Sequence, residues 1–174
     1  MAGLVLAASA VAGGAQAGVL LTLDEALALV FPGAEIERRG VFLSEAQREE
    51  VHRLPGTPLA SALVMRYEAF RNGAPVGVAN TDTHRVRTLA ATLLVALDAA
   101  GSVLRVEVLS FDEPREYLPR PERYAHLAGQ RLSGKLALKR GVRPVAGATL
   151  TASAMVDAVR RALAVHAVIA QSRR

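Results

Sequence analysis

Two short stretches of the first part of the chain have the pattern of helices, the first with a run of six hydrophobic residues from Ala26 to Phe31. Thr22 and Glu25 have the spacing of a capping box, and Ser44 and Gln47 form a second box. We expect a short helix after each box, with the first one stopped at Pro32. This part of the chain therefore predicts two short helices.

Hydrophobic and polar residues alternate with a period of two near residues 63–68 and 104–108, and residues 93–97 form a continuous hydrophobic run, which together indicate β-strands. Asn72 and Gly73 are suited to the turn of a first hairpin, and Asp98 and Gly101 are suited to the turn of a second. Two consecutive hairpins predict an antiparallel sheet.

The helical spacing returns between about residues 151 and 170, where we expect a long helix with Asp157, Arg160 and Arg161 off its packing stripe. Such a helix would cover one face of the sheet. The predicted fold class is α+β: an antiparallel sheet of four or more strands with a C-terminal helix packed on it.

The residues before this helix have the composition of a phosphate site. Gly147 and Ala148 leave the backbone accessible, Thr149 and Thr151 supply hydroxyl groups, and a helix directs its unpaired N–H groups and positive dipole end towards its start. The same residues also fit a tight turn with a threonine N-cap. The motif alone leaves both interpretations open.

The N-terminus is uncharged from residue 2 to residue 21, and Ala15 and Ala17 have the small-x-small spacing of a cleavage site just before Gly18. Residues 1–21 are therefore interpreted as a signal peptide or as an uncut membrane anchor. Residues 22–172 are expected to form a single domain.

Composition excludes several classes of function. The chain has 174 residues and no cysteine, which excludes disulfides and iron–sulfur centres, so redox chemistry would need a bound organic cofactor. The net charge is +5, but 19 of the 21 basic residues are scattered arginines and aromatics are only 4%, so we expect no nucleic-acid binding. The four histidines lack ligand spacing, and we predict neither a metal site nor a catalytic residue.

Four stretches of the chain carry a resemblance to a known family. The span from Leu21 to Ala170 resembles the FMN-binding domains related to the flavin-carrying subunits of Rnf and sodium-translocating NADH:quinone oxidoreductase complexes. The four stretches are Leu21 to Leu27 with Phe31-Pro-Gly, Thr83 to Thr88, Val108 to Pro119, and Gly147 to Thr151 leading into Val156 to Leu163.

The resemblance implies that FMN is the cofactor, bound at the start of the last helix. Its phosphate would be attached to Thr149 as a phosphoester, installed by a separate flavin transferase. Two positions depart from the family pattern: Arg143 stands where an acidic residue is usual, and Ala146 stands where a serine or threonine is usual. Covalent FMN, non-covalent FMN held partly by the Arg143 guanidinium, and loss of flavin therefore all remain open.

The resemblance also indicates candidate contacts with FMN. Phe111 and the backbone around Glu113 match the loop that holds the flavin ring. Thr83, His84, Arg85 and Arg87 are expected just after the second strand, with cationic groups suited to the phosphate or to reduced flavin. The complete set of candidate cofactor contacts is Thr149, Gly147, Ala148, Leu150, Thr151, Arg143, Phe111, Glu113, His84, Arg85 and Arg87.

The resemblance implies an electron-transfer domain in a membrane-associated redox chain, and the uncharged N-terminus adds the expectation that this domain is exported. Its partners would be membrane-associated redox proteins and a flavin transferase, and it would lie outside the cytoplasm, near a membrane. The alternative is a flavin-free structural or interaction subunit of a membrane complex with the same fold.

Overall fold

A computed structural model of the chain describes residues 18–53, 59–132 and 149–172. They form a six-stranded antiparallel sheet with the strand order β1-β6-β5-β4-β3-β2, together with helices on both faces. This confirms the expected α+β class. The predicted leader, residues 1–17, lies outside the described residues.

The bounds follow the chain in order. The strands are β1 (Gly18–Val19), β2 (Glu35–Phe42), β3 (Leu63–Arg71), β4 (Ala74–Arg85), β5 (Ala90–Asp98) and β6 (Val103–Phe111), and the helices are α1 (Leu23–Val30), α2 (Glu45–Arg53) and α3 (Thr149–Ser172). Three single turns of 3-10 helix follow β6, at Arg115–Tyr117, Pro121–Arg123 and Ala125–Leu127.

Both predicted helix starts are confirmed by their hydrogen bonds. The Glu25 backbone N–H donates to Thr22 Oγ1 at 3.3 Å, and the Thr22 N–H donates to Glu25 Oε2 at 2.9 Å. The Gln47 N–H donates to Ser44 Oγ at 3.2 Å, and the Ser44 N–H donates to Gln47 Oε1 at 2.8 Å. Local sequence therefore determines where α1 and α2 begin.

The two faces of the sheet are covered by different helices. α1 packs on one face against alternate residues of the central strands, among them Ala79, Leu94 and Ala96. α3 packs on the other face, where its buried residues contact a cluster on β5 and β6, and its C-terminal part packs against α2. The α3 residues that pack against β5 and β6 include Met155, Val156, Val159 and Leu163. Those that pack against α2 include Val165, Val168 and Ile169.

The strands β3 and β4 diverge at one end of the sheet. Their paired residues run from Arg71–Ala74 at the hairpin turn to Arg66–Asn80. Beyond Asn80, β4 continues to Arg85 in register with β5, while residues 63–65 of β3 continue in register with β2. This divergence opens a gap in the plane of the sheet.

The structure differs from the sequence-based expectations at three points. β2 was not predicted. Thr83, His84 and Arg85, expected after the end of the second strand, still belong to β4 and pair with β5. Arg161, expected off the packing stripe of α3, is largely buried against the sheet, with 12% of its side chain exposed.

The described domain begins before residue 22. β1 pairs with β6, and the backbone N–H groups of Leu20 and Leu21 both donate to the Leu109 carbonyl. None of the described helices is long and apolar enough to cross a bilayer.

Candidate functional site

The first turn of α3 supplies hydrogen-bond donors at one end of the molecule. The helix begins at Thr149, so Leu150 and Thr151 lie in the turn whose backbone N–H groups have no partners within the helix. The Leu150 side chain is exposed, whereas Thr151 is only 2% exposed. Gly147, Ala148 and Arg143, also predicted to hold the phosphate, lie outside the described residues.

The hydroxyl group of Thr151 suits a ligand at this turn. Its Oγ1 atom is buried and has no hydrogen-bond partner among the described residues. A buried hydroxyl without a partner is costly, and a helix N-terminus favours negative charge. A phosphate oxygen would satisfy both the hydroxyl and the N–H groups, so the described residues fit the phosphate of FMN.

Phe111, predicted to contact the flavin ring, is the last residue of β6. Its side chain is 4% exposed and belongs to the hydrophobic cluster that includes Met155 and Val156 of α3. Phe111 therefore links the end of the sheet to the first turns of the helix, and its contact with the ring stays a prediction.

Glu113, the second ring candidate, organises the backbone of this region. Its Oε1 accepts hydrogen bonds from the N–H groups of Thr88 at 2.6 Å, Leu89 at 2.8 Å and Arg87 at 3.1 Å. The N–H groups of Leu89 and Thr88, opposed by burial, lower the pKa of the Glu113 carboxyl group. Glu113 therefore stays ionised and holds the turn between β4 and β5 against the loop that follows β6.

The predicted cationic residues are not brought together in one place. The Arg87 side chain is exposed, with its guanidinium 4.4 Å from the centroid of the Tyr117 ring, a cation–π contact. Arg85 is exposed at the end of β4. His84 instead faces α3, with Nδ1 2.8 Å from Asp82 Oδ1.

The ion pair between Asp82 and Arg161 was not predicted from the sequence. Arg161 donates from Nε to Asp82 Oδ2 at 2.8 Å and from Nη2 to Oδ1 at 2.7 Å, a bidentate arrangement. Burial raises the pKa of the Asp82 carboxyl group, but the hydrogen bonds from Arg161 and His84 outweigh burial and lower it to about 2. A signal was present, because Asn80, Asp82 and His84 alternate along β4 and so lie on one face of the sheet, and a helix was expected to cover one face.

A cleft of about 240 Å³ lies where β3 and β4 diverge. Asn80, which is 3% exposed, lies in its wall, and within the part of the chain that the structure describes neither Asn80 Oδ1 nor Nδ2 has a hydrogen-bond partner. This space is called the β3–β4 cleft below, and its lining residues are Leu59, Ala60, Ser61, Leu63, Val64, Met65, Asn80, Thr81, Asp82, Thr83, Arg161, Ala162 and Val165.

The described residues contain no group of three or more histidine, cysteine, aspartate or glutamate side chains placed to hold a metal ion.

No curated protein and no solved structure matches the chain. Residues 89–164 match the FMN-binding domain family, a span that runs from the start of β5 into α3 and includes the loop after β6. This match confirms the resemblance noted from the sequence and indicates FMN as the cofactor. Over residues 89–164, the chain is similar to the FMN-binding domain family.

Proposed function

We propose that this chain is an exported FMN-binding electron carrier that passes electrons within a membrane-associated redox chain. The observation that carries the proposal is the match of residues 89–164 to the FMN-binding domain family. That span includes the start of α3, where Thr151 keeps a buried hydroxyl without a partner. Bound FMN would supply one- and two-electron redox chemistry.

The residues of the chain have three tasks in this function. The first turn of α3 binds the phosphate through its N–H groups and hydroxyls. Glu113 fixes the turn between β4 and β5 through three hydrogen bonds, which gives the neighbouring loop a defined shape. Phe111 and its cluster exclude water from the interior beneath the helix start.

Thr149→Ala tests how the cofactor is held. If Thr149 carries FMN as a phosphoester, the denatured native protein keeps its flavin and gains roughly 440 Da, and the variant loses that mass. If FMN is bound without a covalent bond, denaturation releases it and the variant only binds it more weakly. Ser153→Ala, one turn further along α3, is the matched control and should leave both the mass and the affinity unchanged.

Purified protein that stays colourless near about 370 and 450 nm after FMN is added would contradict the electron-carrier proposal and support the flavin-free structural subunit. The two departures from the family pattern can be tested in the same assay. Arg143→Asp combined with Ala146→Ser should produce covalent labelling in the presence of a flavin transferase if these departures are what prevents it.

Export has its own test, because the uncharged N-terminus motivates it and the FMN match does not. Intact-mass measurement of protein made in an exporting host should show a chain that starts at Gly18, and this cut would leave β1 whole. A full-length chain recovered from the membrane would support the uncut anchor instead. A soluble cytoplasmic product that retains residues 1–17 would contradict both forms of the proposal.

A further inference from the structure

The β3–β4 cleft lies away from the proposed phosphate position. Arg161 and Ala162, which line the cleft, come twelve and thirteen residues after Thr149 on the same helix. At the rise of an α-helix, twelve residues correspond to about 18 Å. A ligand in the cleft would therefore be separate from a phosphate group bound at the first turn of α3.

Asn80 gives the cleft a specific hydrogen-bonding requirement. A side-chain amide has both a donor and an acceptor on one planar edge, and in Asn80 both atoms are buried without a partner. Such a group is costly in a folded protein unless something occupies the adjoining space and pairs with it. The group that satisfies both atoms at once is another amide whose N–H and C=O lie on the same side.

A lactam ring meets that geometry. An open-chain secondary amide is almost always trans, which places its N–H and C=O on opposite sides, whereas a small ring forces the cis form. The cleft also offers hydrophobic side chains for the body of a ring, notably Val64, Met65 and Val165.

Charge in the cleft argues for an uncharged ligand. The Asp82 carboxylate is already paired with the Arg161 guanidinium through two hydrogen bonds, and His84 contacts the same carboxylate. A charged ligand would lose its hydration on entering the cleft. The two charges of this ion pair already neutralise each other, so neither would compensate that loss.

We propose that the β3–β4 cleft is a second binding site, for a small uncharged ring compound with a lactam edge, paired to the amide of Asn80. The proposal does not depend on FMN, because neither the cleft nor Asn80 belongs to the helix start.

The test uses the full chain with FMN added and two probes, 2-pyridone and N-methyl-2-pyridone, which differ in whether the ring nitrogen carries a hydrogen. Titrations followed by NMR should show that 2-pyridone binds roughly tenfold more tightly, because methylation removes the donor to Asn80 Oδ1. The backbone amide signals of Thr81 and Thr83 should shift on binding. Equal affinity for the two probes, or no binding of either, would overturn the proposal.

Asn80→Leu should abolish the preference for 2-pyridone, while Asn72→Gly, which changes an exposed asparagine in the turn between β3 and β4, should keep it. If Asn80→Leu does not fold, Ala60→Trp serves instead, because Ala60 is an exposed residue of the cleft lining. A folded Ala60→Trp protein that still prefers 2-pyridone to the same degree would count against the site.

Discussion

Arg161 and Asp82 illustrate how single residues acquire their roles in this fold. They are 79 positions apart in sequence, and Arg161 reaches Asp82 only because α3 crosses the face of β4. The helical pattern of α3 identified its hydrophobic side, but the partner of an individual arginine depends on the tertiary arrangement. The sequence therefore predicted the helix and missed the ion pair.

Asp82→Asn should destabilise the protein by roughly 2–3 kcal/mol at neutral pH, because it removes the charge that the Arg161 guanidinium binds through two hydrogen bonds and leaves only Asp157 as a carboxylate neighbour. Urea unfolding of both proteins at pH 7 measures this difference. Asp24→Asn is the control, since the Asp24 side chain is 77% exposed in its ion pair with Arg38 and its loss should cost less than about 1 kcal/mol. Equal effects of the two substitutions would contradict this account.

The same ion pair predicts a dependence of stability on pH. The pKa of Asp82 falls from an ordinary 3.8 to about 2 on folding, so the ionised form is favoured in the folded protein. The resulting stabilisation, about 2 kcal/mol, is fully present above pH 4 and is lost as the pH falls towards 2. Unfolding curves across this range should therefore show a smaller acid loss for Asp82→Asn than for the native protein.

At the scale of elements, local signals were sufficient for some parts and not for others. The capping boxes of α1 and α2 and the Asn72-Gly73 turn depend on residues within four positions of one another, and all are confirmed. β2 was missed because Glu35, Glu37, Arg38 and Arg39 obscure its alternation. As an edge strand with exposed side chains, it is defined by its pairing with β3 rather than by its own pattern.

Gly77 of β4 has no side chain, and this makes room for Phe31 at the end of α1 to pack on the sheet. A Cβ atom at this position would lie 2.5 Å from the Leu97 carbonyl oxygen and 2.6 Å from Phe31 Cε1. Gly77→Ala should therefore lower the free energy of unfolding by about 1–3 kcal/mol, as measured by urea denaturation. Gly40→Ala on β2 is the matched control, since its closest neighbour is the flexible side chain of Leu63. A Gly77→Ala protein as stable as this control would show that the packing of α1 is adaptable.

A substitution at the start of α3 should weaken FMN binding without lowering the stability of the protein. Thr151→Val replaces a buried, unpartnered hydroxyl with a methyl group, so the protein without FMN should be equally stable or slightly more stable. Its affinity for FMN should fall about tenfold, because a hydrogen bond to a charged oxygen is lost. Thermal unfolding and flavin titration measure the two effects, with Ser153→Ala, two residues further along α3, as the control. Unchanged FMN affinity would exclude Thr151 from the phosphate site.

Part of the candidate site was likewise predictable and part was not. Thr151 was identified because a hydroxyl at a helix N-terminus is a local pattern. The role of Glu113 was not, since its carboxylate binds the backbone of residues 87–89, more than twenty positions earlier. The β3–β4 cleft was missed because no sequence pattern indicates where two paired strands will diverge.

At the scale of the whole molecule, β1 closes one edge of the sheet. It pairs with β6, and residues 20 and 21 add two hydrogen bonds to the Leu109 carbonyl. A chain that starts at Gly18 should have the same melting temperature as the full-length protein. A chain that starts at Thr22 should melt lower and associate at high concentration, because the edge of β6 is uncovered. Calorimetry and size-exclusion chromatography measure both effects, and identical behaviour of the two truncated chains would show that β1 is dispensable.

The position of α3 along the chain also has a consequence for biosynthesis. This helix follows every strand of the sheet, yet it supplies buried residues to the cluster on β5 and β6 and to the one around α2. While the strands are being synthesised, the hydrophobic face that α3 will cover is exposed to solvent. Native packing of this face is therefore complete only after the helix has been synthesised. Until α3 has left the ribosome, the strands of the sheet therefore remain accessible to chaperones that bind exposed hydrophobic segments.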